Sequence, residues 1–347
     1  MLCQLMLHNI VDLRNSKLMK QSLTQIHKMW ERFPSVQKEL QDVLFIIQDS
    51  LKANDKEVEK ALLDMFRAGG KMLRPAFVII IGQFYPGNAS KLKHIAASIE
   101  MLHTATLVHD DIIDDSPERR HAPSIQSKFG KDIAAYAGDY LFAATFKTLA
   151  FHTDDMTVVR QSTKLLEDIL TGELTQRTNH YDRHMTLADY KEQIAGKTAA
   201  LFVLSAKLGA TNGDAPEEFV NLVTDFAYNV GMAFQILDDI LDYQSTTKDL
   251  GKPTLQDVRE GVYSAPLIIA MQNKPEIQKL LAKKESITNE EAIQLRDMVI
   301  ASGAVDEATD LASEYTEKAL DYLSQLPEGE SKDTLVAISE ALLERAN

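Results

Sequence analysis

Cysteine is nearly absent: Cys3 is the only one in 347 residues. No intrachain disulfide can form, so burial alone must hold the fold, and a reducing compartment, the cytoplasm, is the expectation. Glycine and proline are scarce, at 15 and 10 residues, which excludes collagen-like and low-complexity architectures. Cations are outnumbered, 37 Lys and Arg against 51 Asp and Glu, for a formal net charge of −14. Nucleic acid is therefore not the expected partner, because phosphate backbones demand clustered basic residues. Long apolar runs are missing too. The densest, Phe77 to Ile81, falls far short of the roughly 18 to 20 residues of a membrane-spanning helix. Met1 to Ile10 lacks a basic lead-in followed by a clean apolar stretch, so no signal peptide is expected.

What is present is apolar material at helical spacing. Hydrophobic residues make up 45% and charged residues 25%, enough for a globular core. Leu62, Met65 and Phe66, or Leu222, Phe226, Val230 and Phe234, recur three and four residues apart, and alternating strand-like runs are rare, so the chain reads as all-α. Breaks fall at Phe33-Pro34, Gly69-Gly70, Tyr85-Pro86-Gly87, Ser116 to Pro123, Asn212-Gly213, Gly251 to Pro253 and Pro327 to Gly329. Thr186 with Asp189, and Thr288 with Glu291, have the spacing of capping boxes at helix starts. No biased linker or repeat divides the chain. The expectation is one helical domain over residues 1–347, with 1–33 as a peripheral N-terminal segment.

The strongest local feature is Asp110-Asp111-Ile112-Ile113-Asp114, which follows a helical run from Lys91 through His109. On a helix Asp110 and Asp114 share a face, with Asp111 at its margin. Each carboxylate pair repels by about 1 kcal/mol in water and about 4 at an effective dielectric of 20, and a helix C-terminus is already negative. A solvated helix end explains one such cluster, but the spacing recurs at Asp238-Asp239-Ile240-Leu241-Asp242, among Phe234, Ile236 and Leu237. Hard oxygen ligands in this pattern suit Mg²⁺, which takes one or two carboxylates, waters and substrate phosphate oxygens. Two such clusters would grip a diphosphate and stabilise the charge of its departure.

Cations supply the counterparts: Lys71 and Arg74 after Gly69-Gly70, Arg119-Arg120 after the first cluster, Lys197-Thr198 after Gly196, and Lys252 after Gly251. Each alone reads as a solvated surface cation; Arg additionally suits bidentate phosphate contacts. His103 alone reads as a satisfied core histidine, and His109 has no role readable from its position.

In this order the elements resemble the trans-isoprenyl diphosphate synthase (polyprenyl synthetase) family, over about Gly69 to Pro266. The resemblance implies a large helical bundle of the isoprenoid synthase type with a central cavity, working as a homodimer. It implies that Asp110, Asp111, Asp114, Asp238, Asp239 and Asp242 bind three Mg²⁺ ions holding an allylic diphosphate, which Arg119, Lys197 and Lys252 also contact. Lys71, Arg74, His103 and Arg120 would hold isopentenyl diphosphate, while Thr198 and Gln235 face the developing cation. Ionisation, condensation and elimination would follow, without a side-chain nucleophile.

Two positions depart from the pattern: Met72 stands where Arg is frequent, and Val262 where Lys is frequent. Product length depends on what lies above the first cluster, where Ala105 and Thr106 are small and no insertion occurs. A helical turn rises about 5.4 Å, so a floor several turns away, at Met101 and Leu102 or at Phe142 and Phe146, implies a hexaprenyl to octaprenyl product. Farnesyl or geranylgeranyl synthesis is the alternative. A terpene cyclase would need no second phosphate site, and a non-catalytic partner subunit typically loses metal ligands.

Overall fold

The computed structural model describes residues 26–67, 70–119, 122–152, 156–178, 180–244 and 256–343. These are overwhelmingly helical, as the apolar spacing requires, and they gather into two compact units. Of the described residues, the first comprises those up to Val159 together with Leu208–Asp214; the second comprises Arg160–Lys207 and those from Ala215 onward.

In the first unit a 3₁₀ turn, Lys28–Arg32, leads into α1 (Pro34–Ser50), which opens with proline at its first position, where the missing N–H costs nothing. Next come α2 (Lys56–Arg67), α3 (Leu73–Gly82) and α4 (Ala89–Ile113). Every residue from Pro75 to Gly82 is buried, so the apolar run at Phe77 is a helix enclosed on all sides. At 25 residues, α4 is about 37 Å long. The Asn88 side chain accepts the Lys91 N–H at 3.0 Å to cap it. α4 packs against α1, α3 and α6 (Lys131–His152). Between α4 and α6 lie a two-stranded antiparallel hairpin, β1 (Glu118–Arg119) and β2 (Ala122–Pro123), and the short α5 (Ile125–Phe129). The hairpin is the small exception to an all-helical reading.

α7 (Met156–Thr178) is followed by α8 (Leu187–Ile194), a π-helical turn at Ala195–Ala199 and α9 (Ala200–Ala210). The 28-residue α10 (Glu217–Gln244) is the axis of the second unit. Onto it pack the π turn, α12 (Ala265–Asn273), α15 (Ala304–Ser324) and α16 (Glu330–Leu343). The short α11 (Gln256–Glu260), α13 (Pro275–Leu281) and α14 (Asn289–Ala301) complete it. Both capping boxes are formed: Thr186 caps α8 with Asp189, and Thr288 caps α14 with Glu291.

Candidate active site

The first aspartate motif occupies the last turn of α4. The Asp114 N–H donates to the Asp110 carbonyl at 2.9 Å, and the Ser116 N–H reaches the Asp111 carbonyl at 3.0 Å. Between them Asp115 takes φ 50°. This is a Schellman-type closure, with aspartate where glycine is usual. The three carboxylates are displayed unequally: Asp114 is exposed, Asp110 half-buried and Asp111 buried at 2%.

Asp111 has a partner. The hairpin brings Arg119 back onto it, with Nε at 2.8 Å and Nη2 at 2.5 Å from the same oxygen, Oδ1. Burial raises the Asp111 carboxyl above its ordinary range, and the Arg119 guanidinium partly offsets this. Two residues expected on metal and on diphosphate thus engage each other. The loop between α4 and α5 is tied at the Ser116 carbonyl, which accepts the Ser124 hydroxyl at 2.6 Å and the Gln126 amide at 2.7 Å. A cavity of about 190 Å³ opens here, its lining including Met65, Leu107, Asp111, Arg119, Pro123 and Ile125.

The predicted isopentenyl residues converge in part. Arg74 Nη1 lies 3.3 Å from His103 Nε2, a pairing across 29 residues. The Lys71 carbonyl accepts the indole N–H of Trp30 at 2.7 Å, and Met72 beside it is buried at φ 50°. Arg120 lies outside the described residues. Sequence reasoning missed Trp30, because it falls in the segment read as peripheral.

His109, which the sequence left without a role, braces the motif. Its Nδ1–H donates to the Ala105 carbonyl at 2.9 Å, and Nε2 stands 3.3 Å from Asp139 Oδ1. The ring stacks on Phe142, 5.3 Å between centroids, against Gly138, where a Cβ would come within 2.3 Å of the imidazole. Only glycine lets α6 approach so closely. Of the proposed chain-length residues, Met101, Leu102 and Ala105 are buried in the core; Thr106, Phe142 and Phe146 are half-buried. None of the six lines the cavity beside Asp111.

The second motif lies in the last two turns of α10, joined to a chain of hydrogen bonds. Thr198 Oγ1–H donates to Gln235 Oε1 at 2.6 Å, and Gln235 Nε2 to Asp239 Oδ1 at 2.8 Å. Tyr190 O–H donates to Asp239 Oδ2 at 2.6 Å. Burial pushes the Asp239 carboxyl up to about 7 even though both donors pull it down; burial and the Asp239 charge drive the Tyr190 phenol well above its ordinary range. The π turn that carries Lys197 and Thr198 approaches α10 at Gly231, where a Cβ would lie 2.6 Å from Ala199 Cα. Single π turns often mark functional positions. Lys197 is exposed and paired with Glu173 at 3.3 Å. Lys252 lies outside the described residues. Tyr190 and Glu173 carried no sequence signal, since their role depends on which side chains tertiary packing brings to them.

Among the described residues no three His, Cys, Asp or Glu side chains form a ready metal cluster. The donors still fit Mg²⁺, which is commonly held by one or two carboxylates with water and phosphate oxygens completing its octahedron. Asp110, Asp114, Asp238 and Asp242 offer such oxygens at exposed or half-buried positions on helix ends.

A family profile described as Polyprenyl synthetase matches residues 55–299, a span that contains both motifs. The chain belongs to the polyprenyl synthetase family. It is 32% identical over 300 residues to heptaprenyl diphosphate synthase component 2 of Bacillus subtilis, covering 86% of each chain. Two solved structures extend the likeness to the backbone. One is a geranylgeranyl pyrophosphate synthase from Lactobacillus brevis, with TM-score 0.88 and 36% identity over 92% of this chain and 99% of that one. The other is a heptaprenyl diphosphate synthase from Staphylococcus aureus, with TM-score 0.86 and 31% identity over 90% and 99%. This polyprenyl synthetase is therefore a prenyltransferase with the all-α isoprenoid synthase fold.

Proposed function

We propose that this chain, acting as one catalytic domain, condenses isopentenyl diphosphate head-to-tail with an allylic diphosphate and releases a hexaprenyl to octaprenyl diphosphate. The observation that carries the reading is the complete pair of aspartate motifs on the ends of α4 and α10. Asp110, Asp114, Asp238, Asp239 and Asp242 would hold three Mg²⁺ ions, with Asp111 oriented by Arg119. Bound Mg²⁺ supplies Lewis-acid stabilisation of the departing diphosphate. Lys197 contacts that diphosphate and moves from Glu173 to do so; Arg120 and Lys252 add charge on the two diphosphates. Lys71, Arg74 and His103 orient isopentenyl diphosphate so that its double bond attacks C1 of the allylic unit as the C1–oxygen bond breaks. Thr198 and Gln235, held toward Asp239, present oxygen dipoles to the developing cation. The departed diphosphate takes the proton whose loss re-forms a double bond.

The product range rests on the small residues Ala105 and Thr106, and on heptaprenyl synthases among the relatives. We assign the chain to the cytoplasm, in keeping with its single cysteine; no helix of the described residues is long and apolar enough to cross a membrane. A homodimer is favoured by large apolar residues left outward on α6, Tyr136 at 73% and Phe151 at 77% exposure. A second reading follows from the Bacillus subtilis relative, which is named as a component: catalysis would then need a different second chain.

Purified protein incubated with labelled isopentenyl diphosphate, farnesyl diphosphate and Mg²⁺ should give a ladder ending at one prenyl length. EDTA or Asp110→Ala should abolish it. No elongation by the chain alone, restored by a second protein, would favour the two-component reading; a geranylgeranyl end point from shorter primers would move it to the short-chain class.

A further inference from the structure

Trp30 lies ahead of the family-matched residues 55–299 and is the only tryptophan of the chain. It is fully buried. Its backbone is pinned in the 3₁₀ turn: the Trp30 N–H donates to the His27 carbonyl at 3.0 Å, and its own carbonyl accepts the Phe33 N–H at 2.9 Å. Phe33 meets the indole edge-on, with 6.3 Å between ring centroids. One polar atom of the ring remains, and it is spent 41 residues away on the Lys71 carbonyl at 2.7 Å.

That carbonyl precedes α3 and takes no part in its ladder, because the helix begins at Leu73 with Met72 as N-cap. A backbone acceptor in such a part-buried turn needs a partner. The following residue, Met72, is held at φ 50°, a left-handed conformation that a side-chain-bearing residue keeps only where its surroundings over-determine it. Two residues on, Arg74 lies against His103. The turn that presents Lys71 and Arg74 is thus clamped from outside by one indole N–H.

We infer that Trp30 is a positioning residue for isopentenyl diphosphate: by fixing the Lys71 carbonyl it sets the aim of Lys71 and Arg74. The segment ahead of the family-matched region thereby controls affinity for one of the two substrates. This inference rests on the proposed assignment of Lys71 and Arg74 to isopentenyl diphosphate.

Because the chain has a single tryptophan, global replacement by benzothienylalanine, an isostere with sulfur in place of the N–H, removes the donor and keeps the ring. Trp30→Phe is the genetic counterpart. Both forms should raise KM for isopentenyl diphosphate by about three- to tenfold, the weight of one hydrogen bond. KM for the allylic diphosphate, and kcat, should stay within about twofold on the same scale. In the unmodified protein, isopentenyl diphosphate added alone should shift the Trp30 emission. An unchanged isopentenyl KM in the benzothienylalanine form, or equal loss for both substrates accompanied by a fall in Tm, would overturn the inference. If the unmodified protein makes no prenyl product, the functional assignment fails instead, and the two failures are told apart by that control.

Discussion

At the scale of single residues, polar side chains in this protein are given work by packing. His94 and His152 stack at 3.5 Å between ring centroids, nearly parallel, with His94 Nδ1 also 2.7 Å from the Ser90 carbonyl. Partial burial lowers the His152 pKa, and the neighbouring imidazole adds to the effect. The unfolded chain binds this proton near pH 6.5, the folded protein only at lower pH. Between the two values the unfolded state holds more protons, so stability is complete above pH 6.5 and is lost as pH falls through that range. Denaturant titrations at pH 7.5 and 5.5 should show that His152→Gln loses less stability on acidification than the unmodified protein, against a background in which the raised Asp239 carboxyl works in the opposite sense. An unaltered pH difference in that variant would assign the dependence to other groups.

At the scale of elements, helix ends and close approaches carry the energetics. The α8 capping box satisfies two backbone donors at the start of the helix that carries Tyr190. Thr186→Ala should cost about 1 kcal/mol of unfolding free energy, measured by urea titration, whereas Thr186→Ser should recover most of it. Contact between the π turn and α10 is less forgiving. An alanine at position 231 places its Cβ 2.6 Å from Ala199 Cα, a backbone atom that no side-chain rotation can clear. Gly231→Ala should destabilise by about 1–3 kcal/mol and, on the proposed role of Thr198 and Gln235, lower kcat by parting the two side chains. A thermal melt and a steady-state assay on the same preparation check both effects.

At the scale of the whole molecule, the outward apolar residues of α6 bear on the proposed homodimer. Ile133, Tyr136 and Phe151 expose large apolar surface on a helix whose opposite face packs α4 and His109. If the proposed homodimer uses this face, Tyr136→Lys combined with Phe151→Glu should shift the sedimenting species toward monomer while leaving the helical circular dichroism unchanged. An unaltered sedimentation coefficient would remove this face from the proposed homodimer.

Much of this molecule was legible before any coordinates. Helical periodicity, both capping boxes and both aspartate motifs depend on residues within four positions of one another, and a repeating helical geometry converts that spacing directly into shared faces and helix ends. Other features were set by tertiary packing. Trp30 meets Lys71 across 41 residues, and Tyr190 meets Asp239 across 49. Arg119 turns back onto Asp111 because a hairpin reverses the chain, and His109 owes its place to the missing side chain of Gly138. The two-unit grouping follows a chain that returns to the first unit at Leu208–Asp214, a return with no mark in composition. Local order is written in spacing, whereas the partners of Asp111, Asp239 and Lys71 depend on which distant surfaces bury each other. Burial is a property of the folded whole.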